Sequence, residues 1–339
     1  MLPSVYVLAL ALVGLPDARE LNNKAAALFH QGKFQAAEKL YLEALAKAPE
    51  GADAGVMACN AGAAYRAAGR YVEAIGFALR GLNLLRSTQG TPTVQLAGCL
   101  INAAEAYRSA GKLEDAERFG REGLQAAISA DGAAGPRTGY ALHTLANVLQ
   151  SAGKMEESIA LYERAITVRR ATLGEGHPGF SSTLGSYAAA LTAAGRSAEA
   201  ERVAANSVAR LRESVGEEHI YLIAAENNLA QTLRLQRRFE EAEPLFRHAL
   251  ELATRLLGPA NPDTGRLMAN LAGYFVEAGR TQSAIKAGEQ AARVLAAALG
   301  AQHPEAAAVR RLVASAYRLA GRDTEATALG GPASSFDRE

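Results

Sequence analysis

Tryptophan is absent from the 339 residues, aromatic residues make up only 6%, proline occurs 11 times and cysteine twice. Each scarcity excludes something. A β-sandwich needs many β-branched and aromatic residues at its core, whereas here alanine and leucine carry most of the 49% hydrophobic content, which suits close-packed helices. The two cysteines, Cys59 and Cys99, are too few for a disulfide framework and lack zinc-ligand spacing. They fall on what read as neighbouring helices, so a bridge between them is open, but the expectation is two small buried hydrophobes.

Charge of one sign is also missing. With 36 basic and 35 acidic residues the formal net charge is +1. No global field draws in nucleic acid or an anionic membrane, and no long basic run offers a phosphate-binding track. Long apolar runs are absent except at the start, where residues 1–16 read MLPSVYVLALALVGLP. That stretch is too short to span a bilayer. Its length and small residues fit the apolar region of a secretory signal, although no Lys or Arg precedes it. Residues 1–18 are therefore expected to be an export leader, placing the chain in the periplasm or outside the cell. The alternative is an N-terminal cap helix on a cytoplasmic protein.

What is present is repetition. Turn glycines stand at Gly32, Gly69, Gly111, Gly153, Gly195, Gly279 and Gly321, with Arg237 in the place of the missing one. After a first interval of 37 residues the step is 42 throughout, and a Lys or Arg follows every position, from Lys33 and Arg70 to Arg280 and Arg322. Seven residues before the turn lie Ala25, Gly62, Ala104, Ala146, Ala188, Ala230, Ala272 and Ala314. Four before it stand Leu28, Tyr65, Tyr107, Leu149, Leu191, Leu233, Phe275 and Tyr317. Five after it stand Ala37, Ala74, Ala116, Ser158, Ala200, Ala242, Ala284 and Ala326. Apolar residues run at helical spacing on both sides of each turn, so each unit reads as a helical hairpin, helix A then helix B. Small residues on both helices let the backbones approach, the large residue fills the adjoining gap, and the glycine supplies the positive φ that ends helix A. One hairpin cannot bury its apolar faces alone; stacking makes a continuous core. Units whose bulky helix B position is small (Ala78, Gly120, Ala204, Gly288) are expected to pack more tightly or less stably.

This pattern of Ala-x-x-Tyr/Leu, Gly-Lys/Arg and Ala, followed by Tyr41, Tyr162 or Phe246, resembles the tetratricopeptide repeat. The 42-residue units resemble the kinesin light chain class of that repeat. They share Leu21-Asn22-Asn23, Asn227-Asn228-Leu229-Ala230, Glu241-Ala242-Glu243-Pro244-Leu245 and a recurring Leu-Gly-x-x-His-Pro at Leu173–Pro178 and Leu299–Pro304, with weaker copies at Gly216–His219 and Leu257–Pro262. The resemblance implies an all-α, right-handed superhelical solenoid of about eight stacked hairpins over residues 19–329, followed by a flexible tail at 330–339. The added residues are expected to lengthen helix B by about two turns, with Gly capping its end and Pro opening the next helix A.

In this family the A helices line a concave groove, and one helical stripe there carries polar side chains. Nine residues before the turn stand Asn23, Asn60, Asn102, Thr144, Ser186, Asn228 and Asn270; six before it, Glu105, Asn147 and Gln231; three before it, Arg66, Arg108, Gln150, Arg234 and Arg318. Asn60, Arg66, Asn102, Arg108, Asn147, Gln150, Asn228, Gln231, Arg234, Asn270 and Arg318 are the candidate partner-binding residues. Amides can satisfy the backbone of an extended peptide, and guanidinium forks suit carboxylates, so an acidic, extended protein or peptide partner is expected. The competing reading is that each Asn bridges adjacent helices and the arginines are merely solvated. Chaperone-docking relatives grip a C-terminal carboxylate with Lys and Asn in the first repeats. Here Asn22 and Ala26 stand in the matching places, so no such clamp is expected.

Enzyme readings find no support. His177, His219 and His303 recur once per unit, about a helix-packing distance of 8–10 Å or more apart, too far to share a metal; their expected role is to shape the turn between units. HExxH, GxSxG and phosphate-cradling Gly-Lys-Ser/Thr motifs are absent from the sequence, and no metal or cofactor is expected. The expected function is a protein-interaction scaffold. The alternatives are an assembly component acting through self-association, or a regulatory subunit of a separately encoded enzyme.

Overall fold

The computed structural model describes residues 16–30 and 34–329. Among these it contains sixteen α-helices and no strand. The chain divides into two compact blocks, Leu2–Gly195 and Arg196 onward. The first holds α1 (Pro16–His30), α2 (Phe34–Lys47), α3 (Ala52–Ala67), α4 (Tyr71–Ser87), α5 (Thr93–Ser109), α6 (Leu113–Asp131), α7 (Pro136–Ser151), α8 (Met155–Leu173) and α9 (Pro178–Ala193). The second holds α10 (Ser197–Val215), α11 (Ile220–Leu235), α12 (Phe239–Leu256), α13 (Pro262–Glu277), α14 (Thr281–Leu299), α15 (Pro304–Leu319) and α16 (Asp323–Ala328). Within each block consecutive helices pack as antiparallel hairpins that stack on the next pair. The predicted leader lies outside the described residues up to residue 15, and the predicted tail lies outside them entirely. No described helix is long and apolar enough to cross a membrane.

The sequence columns are joined by backbone chemistry. Gly69, Gly111, Gly153, Gly195, Gly279 and Gly321 all take φ between 71° and 77°. The amide of the residue after the glycine donates to the carbonyl of the Tyr/Leu/Phe column: Arg70 to Tyr65 at 2.9 Å, Lys154 to Leu149 at 2.9 Å, Arg280 to Phe275 at 2.8 Å. That six-to-one bond is the Schellman closure of helix A. Arg237 makes the same turn at φ 59°, the one non-glycine positive φ among the described residues.

The lysine or arginine after the turn has a second job. Arg70 pairs with Glu38 at 2.8 Å and Lys154 with Glu117 at 2.8 Å in the first block; Arg238 with Glu201 at 2.5 Å, and Arg280 with Glu243, in the second. Each glutamate stands six residues past the preceding turn. These exposed pairs add little stability singly, but they tie one hairpin to the next at the same place in each.

Helix B is longer in the later units, though by less than predicted. It grows from 14 residues in α2 to 17 in α4 and 19 in α6, α8 and α10. Part of the insertion instead forms the connector. There Gly90, Gly132, Gly174, Gly216, Gly258 and Gly300 take positive φ, and after the last four of them the next helix is capped by a side chain. His177 Nδ1 accepts from the Gly179 amide at 3.0 Å, His219 from Tyr221 at 3.3 Å, and His303 from Glu305 at 3.2 Å; Asn261 serves likewise for Asp263 at 2.8 Å. The recurring histidines are N-caps, in keeping with a turn-shaping role.

The two glycine positions of helix B, Gly120 and Gly288, are filled from the neighbouring hairpin. A methyl group at Gly120 would meet Leu145 at 3.1 Å, and one at Gly288 would meet Val313 at 2.6 Å. The cysteines depart from expectation. Cys59 of α3 and Cys99 of α5 are fully buried, and they are also bonded to each other across a Cα separation of 5.4 Å. Gly81 of α4 makes room: a Cβ there would collide with the Cys59 sulfur.

Candidate functional site

All eleven candidate residues sit on A helices, and none is fully exposed. In the first block Asn60 and Asn102 are buried, while Arg66, Arg108, Asn147 and Gln150 keep part of their surface. In the second, Asn228, Gln231, Arg234, Asn270 and Arg318 are half-buried. The asparagine column does bridge neighbouring A helices. Asn60 Nδ2 donates to Asn22 Oδ1 at 3.1 Å, joining α3 to α1, and Asn270 Nδ2 donates to Asn227 Oδ1 at 2.9 Å, joining α13 to α11. In both pairs the donor lies nine residues before its turn and the acceptor ten before the preceding turn. An amide that bonds to a buried amide of the neighbouring A helix keeps the A-helix row in register.

The arginine column is engaged too, mostly with carboxylates. In the first block Arg108 donates to Glu105 at 2.8 Å from the same helix, while Arg66, one repeat earlier, faces the same carboxylate at 4.0 Å. Burial alone would raise the Glu105 pKa, but Arg108 and Arg66 hold it below the ordinary carboxylate value. In the second block Arg234 Nε donates to Gln231 at 2.7 Å and its Nη1 pairs with Glu277.

Three residues outside the sequence-derived stripe complete the first-block site. The hydroxyl of Tyr162, from α8, lies 2.6 Å from Asn147 Oδ1 and 2.8 Å from Gln150 Oε1; burial pushes that phenol up from its ordinary pKa. His143 of α7 packs edge-on against Tyr162, with ring centroids 5.9 Å apart. Its Nδ1 is buried without a partner, and burial, then the charge of Arg169, pulls its pKa down to about 3. Arg169 of α8 is itself 3% exposed, donates to Gly179 O at 2.6 Å and Thr183 Oγ1 at 2.8 Å, and lies over the Tyr140 ring. Burial pulls its pKa down to about 10.

The second block has its own buried cluster. Glu226 of α11 has no exposed surface and joins Arg212 of α10 at 2.8 Å and His248 of α12 at 2.7 Å. Sequence reasoning passed over His143, Arg169 and Glu226. A charged residue inside an apolar helical stripe was the available signal, and it cannot be told from a surface residue until the neighbouring helices are placed. No group of three metal-ligating side chains occurs among the described residues.

These stacked helical hairpins, closed by a glycine turn and tied together through their A helices, define a helical-repeat protein. The sequence profile of the tetratricopeptide repeat matches residues 17–87, 53–129, 137–213 and 221–297, and the chain belongs to that family. A search of curated proteins finds no match. Among solved structures the chain is similar to a putative kinesin light chain from Podosopora anserina with nearly identical repeats (18% identity, 67% of this chain and 97% of that one, TM-score 0.51). It is also similar to aspartyl phosphate phosphatase F from Bacillus subtilis (16%, 83% and 72%, TM-score 0.60). A third is a tetratricopeptide repeat protein from Parabacteroides merdae (13%, 88% and 98%, TM-score 0.55). At such identities the likeness is one of fold.

Proposed function

We propose that the chain is a non-catalytic interaction scaffold that holds an extended segment of another protein along the A-helix stripe. The observation that carries this reading is the register. Successive A helices present half-buried amides and guanidiniums at a fixed 42-residue step, Arg66, Arg108 and Gln150 in the first block and Asn228 and Asn270 in the second. A surface that is polar, partly enclosed and periodic suits a peptide backbone, whose own donors and acceptors recur regularly. Buried Asn60 and Asn102 support the row from beneath and contribute through alignment. Arginine in four units (Arg66, Arg108, Arg234 and Arg318) favours an acidic partner. The test is a pull-down or peptide array with Arg66, Arg108 and Arg234 each changed to Glu. Loss of binding is expected, and unchanged binding would overturn the assignment.

Export is part of the same proposal. The buried Cys59–Cys99 bond supports it, since structural disulfides persist in oxidising compartments. N-terminal sequencing of the mature protein from its native cell tests it: an intact Met1 would contradict removal of a leader.

A further inference from the structure

We infer that the first block contains a single-carboxylate anchor between Arg66 and Arg108, which takes one Asp or Glu side chain of the bound segment. This deepens the peptide-scaffold reading and rests on it. The argument begins with charge. Two guanidiniums, Arg66 and Arg108, share one carboxylate, Glu105, and Arg169 adds a further positive charge beside the neighbouring His143. Arg169 bonds to neutral oxygens, and His143 contributes no compensating charge. An enclosed cluster with surplus positive charge draws its missing anion from outside.

Geometry places the anchor. Arg108 holds Glu105 closely, whereas Arg66 reaches the same carboxylate at 4.0 Å, the outer limit of an ion pair. Glu105 therefore leaves Arg66 under-coordinated, and Arg108 Nε is buried without a partner. Arg66 and Arg108 lie on consecutive A helices, α3 and α5, which the Cys59–Cys99 bond fastens together. Cys59 stands seven residues before Arg66, two helical turns along the same face. The bond thus ties together the two helices that carry the guanidiniums.

The class of ligand follows from what flanks the anchor. Asn147 and Gln150 continue the polar row on α7, their carbonyl oxygens turned toward the Tyr162 hydroxyl. Because the half-buried row continues past the anchor to Asn147 and Gln150, a bound chain runs on through the site and does not end there. That selects a side-chain carboxylate over a C-terminal one. The second block offers no equivalent, because Arg234 is already paired with Glu277.

The probe is an array of acetylated, amidated ten-residue peptides with one position varied among Asp, Glu, Asn and Gln, beside a second set with a free C-terminus. Both are incubated with the full oxidised chain. The expected result is a preference of about tenfold for Asp or Glu at one position, the scale of one charge-assisted hydrogen bond. Arg108→Gln should abolish that preference while overall peptide binding persists, and Arg234→Gln should leave it intact. Thermal melts of both variants check that the fold is kept. Peptides that bind with no acidic preference, or a preference for the free C-terminus, would overturn the anchor and leave the scaffold reading standing. An array on which nothing binds the wild-type chain would overturn both.

Discussion

The two blocks share one repeat and bury ionisable groups in opposite ways. In the first, His143 and Arg169 are enclosed without a carboxylate of their own; the one buried acid nearby, Glu105, is already shared by two arginines. In the second, the enclosed Glu226 is bonded to two partly exposed partners, Arg212 and His248. A closed triad is electrically complete, while the first-block cluster is neutral only where a group can be held uncharged, as His143 is. The repeat scaffold tolerates either arrangement because small Ala and Gly positions, not charges, set the helix spacing.

Acid should break the comparison most strongly. The His143 pKa is depressed from 6.5 to about 3 in the fold. Its stabilising contribution is therefore fully present above pH 6.5 and is lost as the pH falls toward 3. The full loss is on the order of 5 kcal/mol, and about half of it is reached near pH 4.5. Hydrogen exchange resolved by helix should show α5–α8 opening on acidification before the second block does. A His143→Gln variant should flatten that difference, and an unchanged acid response would remove His143 as its cause.

Reduction comes next. The Cys59–Cys99 bond closes a loop with a sequence separation of 40, and the chain-entropy estimate for such a loop is about 4 kcal/mol. The C59A/C99A double variant should lower first-block stability by about that amount and become insensitive to dithiothreitol. The second block should not respond. Urea unfolding read at both blocks, with and without reductant, tests this.

In the second block Glu226→Gln should cost about 2 kcal/mol, below the usual loss for a broken buried pair because Arg212 keeps Glu217 at 3.0 Å and both partners reach solvent. A change confined to α10–α12 exchange rates is expected; an effect on α5–α8 would contradict separate clusters. The smallest effect is favourable. Arg237→Gly replaces a strained left-handed arginine with the residue every other later turn uses, and should add about 1 kcal/mol. A melt of the variant that is no higher than wild type would show that the Arg237 stack on Phe239 outweighs the strain.

Much of this was legible from residues alone. The turn glycines, the Ala columns and the Tyr/Leu/Phe column announce helical hairpins, because each reports a local demand: a positive φ, a close approach, a gap to fill. The histidine of Leu-Gly-x-x-His-Pro was likewise readable as turn-forming, since its hydrogen bond reaches only two residues along the chain. The stripe of Asn60, Arg66, Asn102 and Arg108 was readable as a row. What each member touches was not, because Asn22, Glu105 and Glu277 come from other turns or other helices. The helix B lengthening was overestimated because an insertion can be absorbed by a connector as easily as by a helix.

The sequence by itself determined the repeat, its 42-residue step, the hairpin and the position of every turn among the described residues (Gly32 lies outside them), since these rest on interactions within a few residues of each other. Only the tertiary structure decided that Cys59 meets Cys99, that Arg66 and Arg108 converge on Glu105, and that His143 and Glu226 are shut away from water. Those outcomes depend on which faces of successive helices come together. Burial, the quantity that turns an ordinary polar residue into a neutral histidine or a shared carboxylate, exists only once the hairpins are stacked.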